Sequence, residues 1–301
     1  MNIDENVVES IVKRVVSQLS TETASAQTCP SGGDWGVFES MNDAVDAAVE
    51  AQREYLNRSM HDRACYVQAI RDVVLDQENL EYISRLAVEE TGMGGYEYKL
   101  IKNRLAAVKT PGIEDLTTDA MSGDDGLTLV EYSPFGVIGS ITPTTNPTET
   151  IICNSIGMLA AGNAVVFSPH PRAKKVSLHL IQLINKALCK AGAPANLVVT
   201  VSAPSIENTN AMMSHPKIRM LVATGGPAIV KTVLSSGKKA IGAGAGNPPV
   251  VVDETADIEK AAKDIVDGCS FDNNLPCIAE KEIVSFDSIT DELIFYLVEN
   301  G

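Results

Sequence analysis

The feature that most limits what this chain can fold into is an alternation of short apolar runs and amphipathic stretches between Val137 and Ile241. Val137-Ile-Gly-Ser-Ile, Ala164-Val-Val-Phe, Leu197-Val-Val-Thr-Val, Met220-Leu-Val-Ala and a brief Ala240-Ile are apolar at successive positions rather than at every second one. A strand that is apolar on both sides must be covered on both sides, which is the situation of a parallel sheet between helical layers. Between these runs, residues 148–161, 173–191, 205–214 and 228–236 carry apolar side chains at helical spacing. The pattern predicts an α/β fold on a parallel sheet, and ligands of such sheets sit beyond the carboxyl ends of the strands.

The flanks read differently. From Val37 to about Thr110 the spacing is helical, with helices over 43–55 and 63–77 and a further one leading to Glu90. Thr91-Gly-Met-Gly-Gly breaks that helix, a lysine-bearing helix runs on to Val108, and Pro111-Gly112 ends it. Between Asp119 and Tyr132, Ser122-Gly-Asp-Asp-Gly is a turn and Leu127-Thr-Leu-Val-Glu-Tyr favours strand, so a projecting hairpin is expected. After Gly246 a new α/β stretch begins: Val250-Val-Val-Asp, a helix over 258–268, the Cys277 segment, then Glu282-Ile-Val-Ser-Phe. At the start, Ile3, Val7, Ile11, Val15 and Leu19 form one apolar stripe, followed by a small, polar linker. That leading helix either docks on another molecule or folds back onto the body.

Net charge is −15, with 24 basic against 39 acidic residues. This argues against nucleic acid, whose binding rests on clustered Lys and Arg, and against an anionic membrane surface. No apolar run reaches the ~20 residues of a membrane span, and Met1-Asn-Ile-Asp-Glu is not a secretory leader. The six cysteines are scattered without a metal-ligand spacing, so no metal is expected.

Four features bear on chemistry. Cys277 follows Asn273-Asn274 and Pro276. Such a polar, turn-prone setting leaves a thiol accessible, as a nucleophile requires, whereas the plain alternative for a lone cysteine is a small buried hydrophobe. Asn146 follows the strand ending at Ile141 and precedes Pro147. It is either a helix cap or an amide donor aimed at a developing oxyanion. Thr224-Gly225-Gly226-Pro227 stands between a buried strand and a helix, where backbone N–H groups can face a diphosphate. Gly242-Ala-Gly-Ala-Gly-Asn-Pro-Pro is either a strand-to-strand turn or part of a site.

Taken in order, Ser140-Ile-Thr-Pro-Thr-Thr-Asn-Pro-Thr-Glu-Thr-Ile, Gly162-Asn-Ala-Val-Val-Phe-Ser-Pro-His-Pro-Arg-Ala-Lys-Lys, Ala223-Thr-Gly-Gly-Pro-Ala-Ile-Val, Gly242 to Asp257, and Ser270-Phe-Asp-Asn-Asn-Leu-Pro-Cys-Ile-Ala-Glu-Lys resemble the CoA-acylating propionaldehyde and acetaldehyde dehydrogenases of bacterial microcompartments. The resemblance covers the chain from Gly36 onward. It implies the aldehyde dehydrogenase fold, with an NAD-binding domain over 36–118 and 134–245, an oligomerisation arm over 119–133, and the first part of a catalytic domain over 246–301. It further implies a targeting helix over 1–19 that binds a shell protein, and a linker over 20–35. By motif, Cys277 matches the nucleophile and Asn146 the oxyanion amide. Pro143, Thr144 and Thr145 match the segment under the cofactor; Ser168, Pro169 and His170 match the adenosine-side turn; Thr224, Gly225 and Gly226 match the pyrophosphate side.

What the resemblance implies for function is oxidation of a short-chain aldehyde with NAD and coenzyme A, in a homo-oligomer, in the cytoplasm within a microcompartment. Where hydrolytic members carry a general-base Glu in E-L-G-G-K, this chain reads Ala243-Gly-Ala-Gly-Asn247, so the acyl acceptor is expected to be CoA rather than water. Family members continue beyond the point matching Gly301. The chain alone is therefore expected to be poorly active and prone to associate, and a non-catalytic cargo or interaction protein is the rival expectation.

Overall fold

The computed structural model describes residues 32–301. The helix expected over 1–19 and most of the linker expected over 20–35 lie outside the described residues.

The expected alternation is present. Strands β1 (Val37–Phe38), β4 (Val137–Ile141), β5 (Ala164–Ser168), β6 (Val198–Val201), β7 (Ile218–Thr224) and β8 (Lys239–Ala243) form one sheet in the order β1-β6-β5-β4-β7-β8. Every pair in it is parallel. Every residue of β4, β5 and β6 is buried, which explains why those runs are apolar without alternation. Helices α1 (Met41–Tyr55), α2 (Met60–Leu75), α3 (Gln77–Thr91) and α4 (Tyr96–Lys109) precede the hairpin β2 (Asp119–Gly123) and β3 (Gly126–Val130). Helices α5 (Pro147–Ala160), α6 (Lys174–Lys190), α7 (Ile206–Ser214) and α8 (Pro227–Leu234) connect successive strands of the sheet.

The strand order fixes where a ligand can sit. From β4 the chain winds to β5 and then β6 in one direction, and from β7 to β8 in the other. Right-handed crossovers put the connecting helices of the two directions on opposite faces. Accordingly α5 and α6 pack together with α2, while α7 packs with α1. The reversal leaves a crevice above the carboxyl ends of β4 and β7. The helical layer is tied down by polar anchors as well as by its apolar core. The Tyr55 hydroxyl donates to the Leu159 carbonyl at 2.9 Å, and Gln52 donates to that of Gly162 at 3.2 Å. Each such bond is worth ~1 kcal/mol net and costs more if only its acceptor remains.

Beyond the main sheet, β9 (Pro249–Val252) and β10 (Glu282–Ser285) form a separate parallel pair, with α9 (Ile258–Ser270) and α10 (Asp287–Asn300) packed against each other. Their small core is Val252, Ala262, Ile265, Ile289 and Leu293. The hairpin β2–β3 is antiparallel and exposed along its whole length, as expected of a projecting arm. Two elements differ from the sequence reading. Val37–Phe38, read as the start of a helical region, is a strand paired with Thr200 and Val201. The final helix α10 was not expected. Among the described residues no helix is long and apolar enough to cross a membrane.

Candidate active site

The crevice at the strand reversal holds a cavity of about 690 Å³. Pro143, Thr144, Thr145 and Asn146 enter it from the turn after β4, and Ser168, Pro169 and His170 from the end of β5. Thr224, Gly225 and Gly226 line it from the end of β7, and Cys277 closes it from the segment after α9. Every residue singled out from the sequence thus borders one space. Ala243, Gly244, Ala245 and Asn247 join them, so the glycine run is both a strand-to-strand link and a wall of the cavity. Among the described residues that line it, none is Asp or Glu; the ionisable side chains are His170, Cys277 and Lys281.

The cysteine is held by its backbone. Cys277 is half-buried, and its carbonyl accepts from the Asn247 N–H at 3.2 Å. A Cβ on Gly246 would stand 2.7 Å from that same carbonyl oxygen, so the close approach requires glycine there. Upstream, Asp272, Asn273 and Asn274 have φ of 49°, 56° and 59°. Three successive left-handed residues are costly for any side chain but least so for Asn and Asp, which explains the composition of this turn. The Asn274 amide stabilises it by donating to the Cys269 carbonyl at 2.5 Å and to that of Glu280 at 3.2 Å.

Asn146 sits at the N-cap of α5, yet its side chain makes no cap hydrogen bond, and Pro147 occupies the first helical turn. The cap alternative is therefore not realised by the amide. Its Oδ1 instead accepts from Lys102 Nζ at 2.5 Å. An ammonium only donates, so this bond fixes which end of the amide is which and makes Nδ2 the donor end, held only by a long 3.4 Å bond to Thr145 Oγ1.

Lys102 belongs to a buried group that sequence reasoning missed. Lys99, Lys102, Glu149 and Asp272 come together from α4, α5 and the left-handed turn. Lys99 and Asp272 have 0% exposed side chains. Lys102 bonds Asp272 directly and stands 3.1 Å from Glu149, while Lys99 is 3.6 Å from both carboxylates and donates to the Thr145 carbonyl at 2.5 Å. Burial holds the pKa of Lys99 below the usual lysine value, against the pull of Glu149. Burial is also the largest influence on Lys102, but Glu149 and Asp272 together outweigh it and hold that ammonium above the usual value. Asp272 also accepts from the Gly95 N–H at 2.9 Å. Gly94 has φ of 77°, and a Cβ there would meet Asp272 Oδ1 at 2.3 Å. The sequence signal was the spacing of Lys99 and Lys102 on the same helical face as Asn103 and Ala106, all buried in the structure.

The residues fit a nicotinamide dinucleotide. The hydroxyl of Thr142, 2% exposed and bordering the cavity, is buried without a hydrogen-bond partner. Gly225 and Gly226 line the cavity just before the start of α8, and no carboxylate in its described lining repels a phosphate.

The family model described as "Aldehyde dehydrogenase family" matches residues 36–300. Propanal dehydrogenase (CoA-propanoylating) of Salmonella typhimurium is 51% identical over 297 residues, covering 98% of this chain and 62% of the relative. The chain thus spans about three fifths of the length of that relative. The crystal structure of Rhodopseudomonas palustris propionaldehyde dehydrogenase with bound CoA and an acylated cysteine is similar with a TM-score of 0.86 and 77% identity, covering 88% of this chain and 61% of that one. A propionaldehyde dehydrogenase from the Clostridium phytofermentans fucose utilisation bacterial microcompartment is similar with a TM-score of 0.84 and 58% identity, covering 88% and 60%. With a parallel sheet, a reversal-point cavity and a cysteine at its mouth, the chain belongs to the aldehyde dehydrogenase family.

Proposed function

We propose that this chain carries the nucleophile, the oxyanion donor and the cofactor cavity for CoA-acylating oxidation of a short-chain aldehyde. The observation that carries this reading is that Cys277 and Asn146 border one cavity whose described lining holds no carboxylate to activate water. The relatives named for CoA-propanoylating activity, and the structure with CoA and an acylated cysteine, support the same chemistry.

In this reading the Cys277 thiolate adds to the aldehyde carbon. A C–S bond forms and the carbonyl π pair moves to oxygen. Asn146 Nδ2–H, with the Cys277 backbone N–H, holds the oxyanion; one such donor is typically worth ~3–4 kcal/mol of barrier. A nicotinamide cofactor, when bound, supplies the hydride acceptor. Thr142, Pro143, Thr144 and Thr145 would run beneath it, Ser168, Pro169 and His170 would border its adenosine, and Thr224, Gly225 and Gly226 its diphosphate. Loss of hydride leaves a thioester on Cys277. With Ala243-Gly-Ala-Gly-Asn247 in place of a general base, the CoA thiolate outcompetes unactivated water, forming the new thioester and expelling Cys277.

Two further assignments belong to the same proposal. The exposed apolar residues Met121, Leu127 and Leu129 on the hairpin suit pairing with a second copy, since an isolated two-stranded ribbon is marginal alone. The amphipathic stripe of residues 1–19 suits a microcompartment shell protein, consistent with the source of the Clostridium relative. The domain limits 36–118 with 134–245, 119–133 and 246–301 follow the same assignment.

The test is NADH formation from propionaldehyde, NAD and CoA. Turnover that needs CoA is expected, and Asn146→Ala should slow it by ~100- to 1,000-fold. Equal turnover without CoA would point instead to a hydrolytic enzyme.

A further inference from the structure

The buried cluster gives Lys102 a task that charge balance alone does not require. Two ammonium groups and two carboxylates already offset each other, so Lys102 could have been satisfied by Asp272 and Glu149. It nevertheless reaches Asn146 Oδ1 at 2.5 Å, and Asn146 lines the cavity. The same ammonium bonds Asp272, which lies five residues before Cys277 and begins the left-handed turn leading to it. One cation therefore spans the amide at the start of α5 and the turn that sets the thiol. Lys99 holds the adjoining Thr145 carbonyl at 2.5 Å, so the backbone just before the donor is also fixed from α4.

Resting on the proposed function above, we infer that Lys102 is a positioning residue for the oxyanion donor: its ammonium holds Asn146 Oδ1, so that Nδ2–H faces the cavity as a polarised donor in register with Cys277. Two physical effects follow. An amide free to flip would present oxygen to an oxyanion in half of its orientations, and a donor-only partner removes that half. A charged donor on the carbonyl end also withdraws electron density from the nitrogen, strengthening the bond that Nδ2–H makes. Asp272 serves Lys102 in turn, by anchoring its ammonium.

The experiment separates positioning from simple structural support through a double-mutant cycle. The probe is p-nitrophenyl acetate, read by pre-steady-state release of p-nitrophenolate as Cys277 is acylated. The Cys277 S–C bond forms, the ester C–O bond breaks, and the thiol proton goes to solvent. This step builds an oxyanion but uses neither hydride transfer nor CoA. Asn146→Ala should slow acylation by about 100-fold. Lys102→Gln should slow it by about 10-fold when Asn146 is present and by less than about 2-fold in the Asn146→Ala background. NAD binding, measured by tryptophan or nucleotide fluorescence, should change little in either. The same factor in both backgrounds, or no effect in a folded Lys102→Gln chain, overturns the inference. Should Lys102→Gln not fold, Asp272→Asn is read in the same two backgrounds and must show the same coupling. Normal coupling without NADH formation from any short aldehyde sinks the dehydrogenase reading alone. A wild-type Cys277 that is never acylated sinks the positioning role as well.

Discussion

Truncating Asp272 to alanine tests the buried cluster most directly. Its carboxylate is fully buried, bonds Lys102, lies 3.6 Å from Lys99, and accepts the Gly95 N–H at 2.9 Å. Asp272→Ala leaves two ammonium groups, 0% and 9% exposed, facing one carboxylate, Glu149. Breaking a buried ion pair by removing one partner costs ~3–5 kcal/mol, because the surviving charge is stranded. The orphaned Gly95 N–H is part of the same loss and is not added to it. At ~2–4 °C of melting temperature per kcal/mol for a domain of this size, the melting midpoint should fall by about 10 °C. The assay is chemical and thermal unfolding followed by circular dichroism, with the denaturant slope checked to show that the folded state is still compact. Asp272→Asn, which keeps the bond to Gly95 but not the charge, should lose less. A loss below ~1 kcal/mol for Asp272→Ala would refute the view that the cluster is screened from solvent.

The other expectations concern single positions. Cys277→Ala should abolish NADH formation while NAD affinity, measured by fluorescence titration, is retained; normal turnover would remove the thiol from the mechanism. Gly94→Ala places a methyl 2.3 Å from Asp272 Oδ1 at a φ of 77°, and should cost at least ~1–2 kcal/mol from backbone strain alone in a denaturant melt. For His170, burial and then the charge of Arg172 hold the pKa below the ordinary 6.5. The unfolded chain therefore takes up a proton that the folded chain resists, so this contribution is present above pH 6.5 and is lost as pH falls below it. Titration of the His170 ring by NMR should show a midpoint under 6.5, and a midpoint above it would contradict the described environment.

The sheet was legible because β4, β5 and β6 are buried on both faces, so their apolar runs are unbroken. The hairpin was legible from its turn residues between 122 and 126. Val37–Phe38 was not, because two residues display no period and their strand character comes from pairing with β6, more than 160 residues away. At the site, Cys277, Asn146 and the three cofactor segments were read from local motifs, and all border the same cavity. Lys99, Lys102, Glu149 and Asp272 were not, because each alone reads as an ordinary solvated charge. The shared helical face of Lys99 and Lys102 is a local trace, but it does not reveal carboxylate partners as many as 173 positions away, between Lys99 and Asp272. Asp272 was doubly hidden, since its turn reads as flexible polar loop while its side chain is sealed.

The lack of carboxylates in the described lining of the cavity has a kinetic consequence. The chain as a whole carries −15, while nucleotide and thioester-forming cosubstrates are polyanions. Far from the entrance they meet a repulsive field, and only within about one Debye length, ~8 Å at physiological salt, does the carboxylate-free lining with Lys281 matter. Capture should therefore speed up as salt is added, the reverse of the steering seen where charges of opposite sign attract.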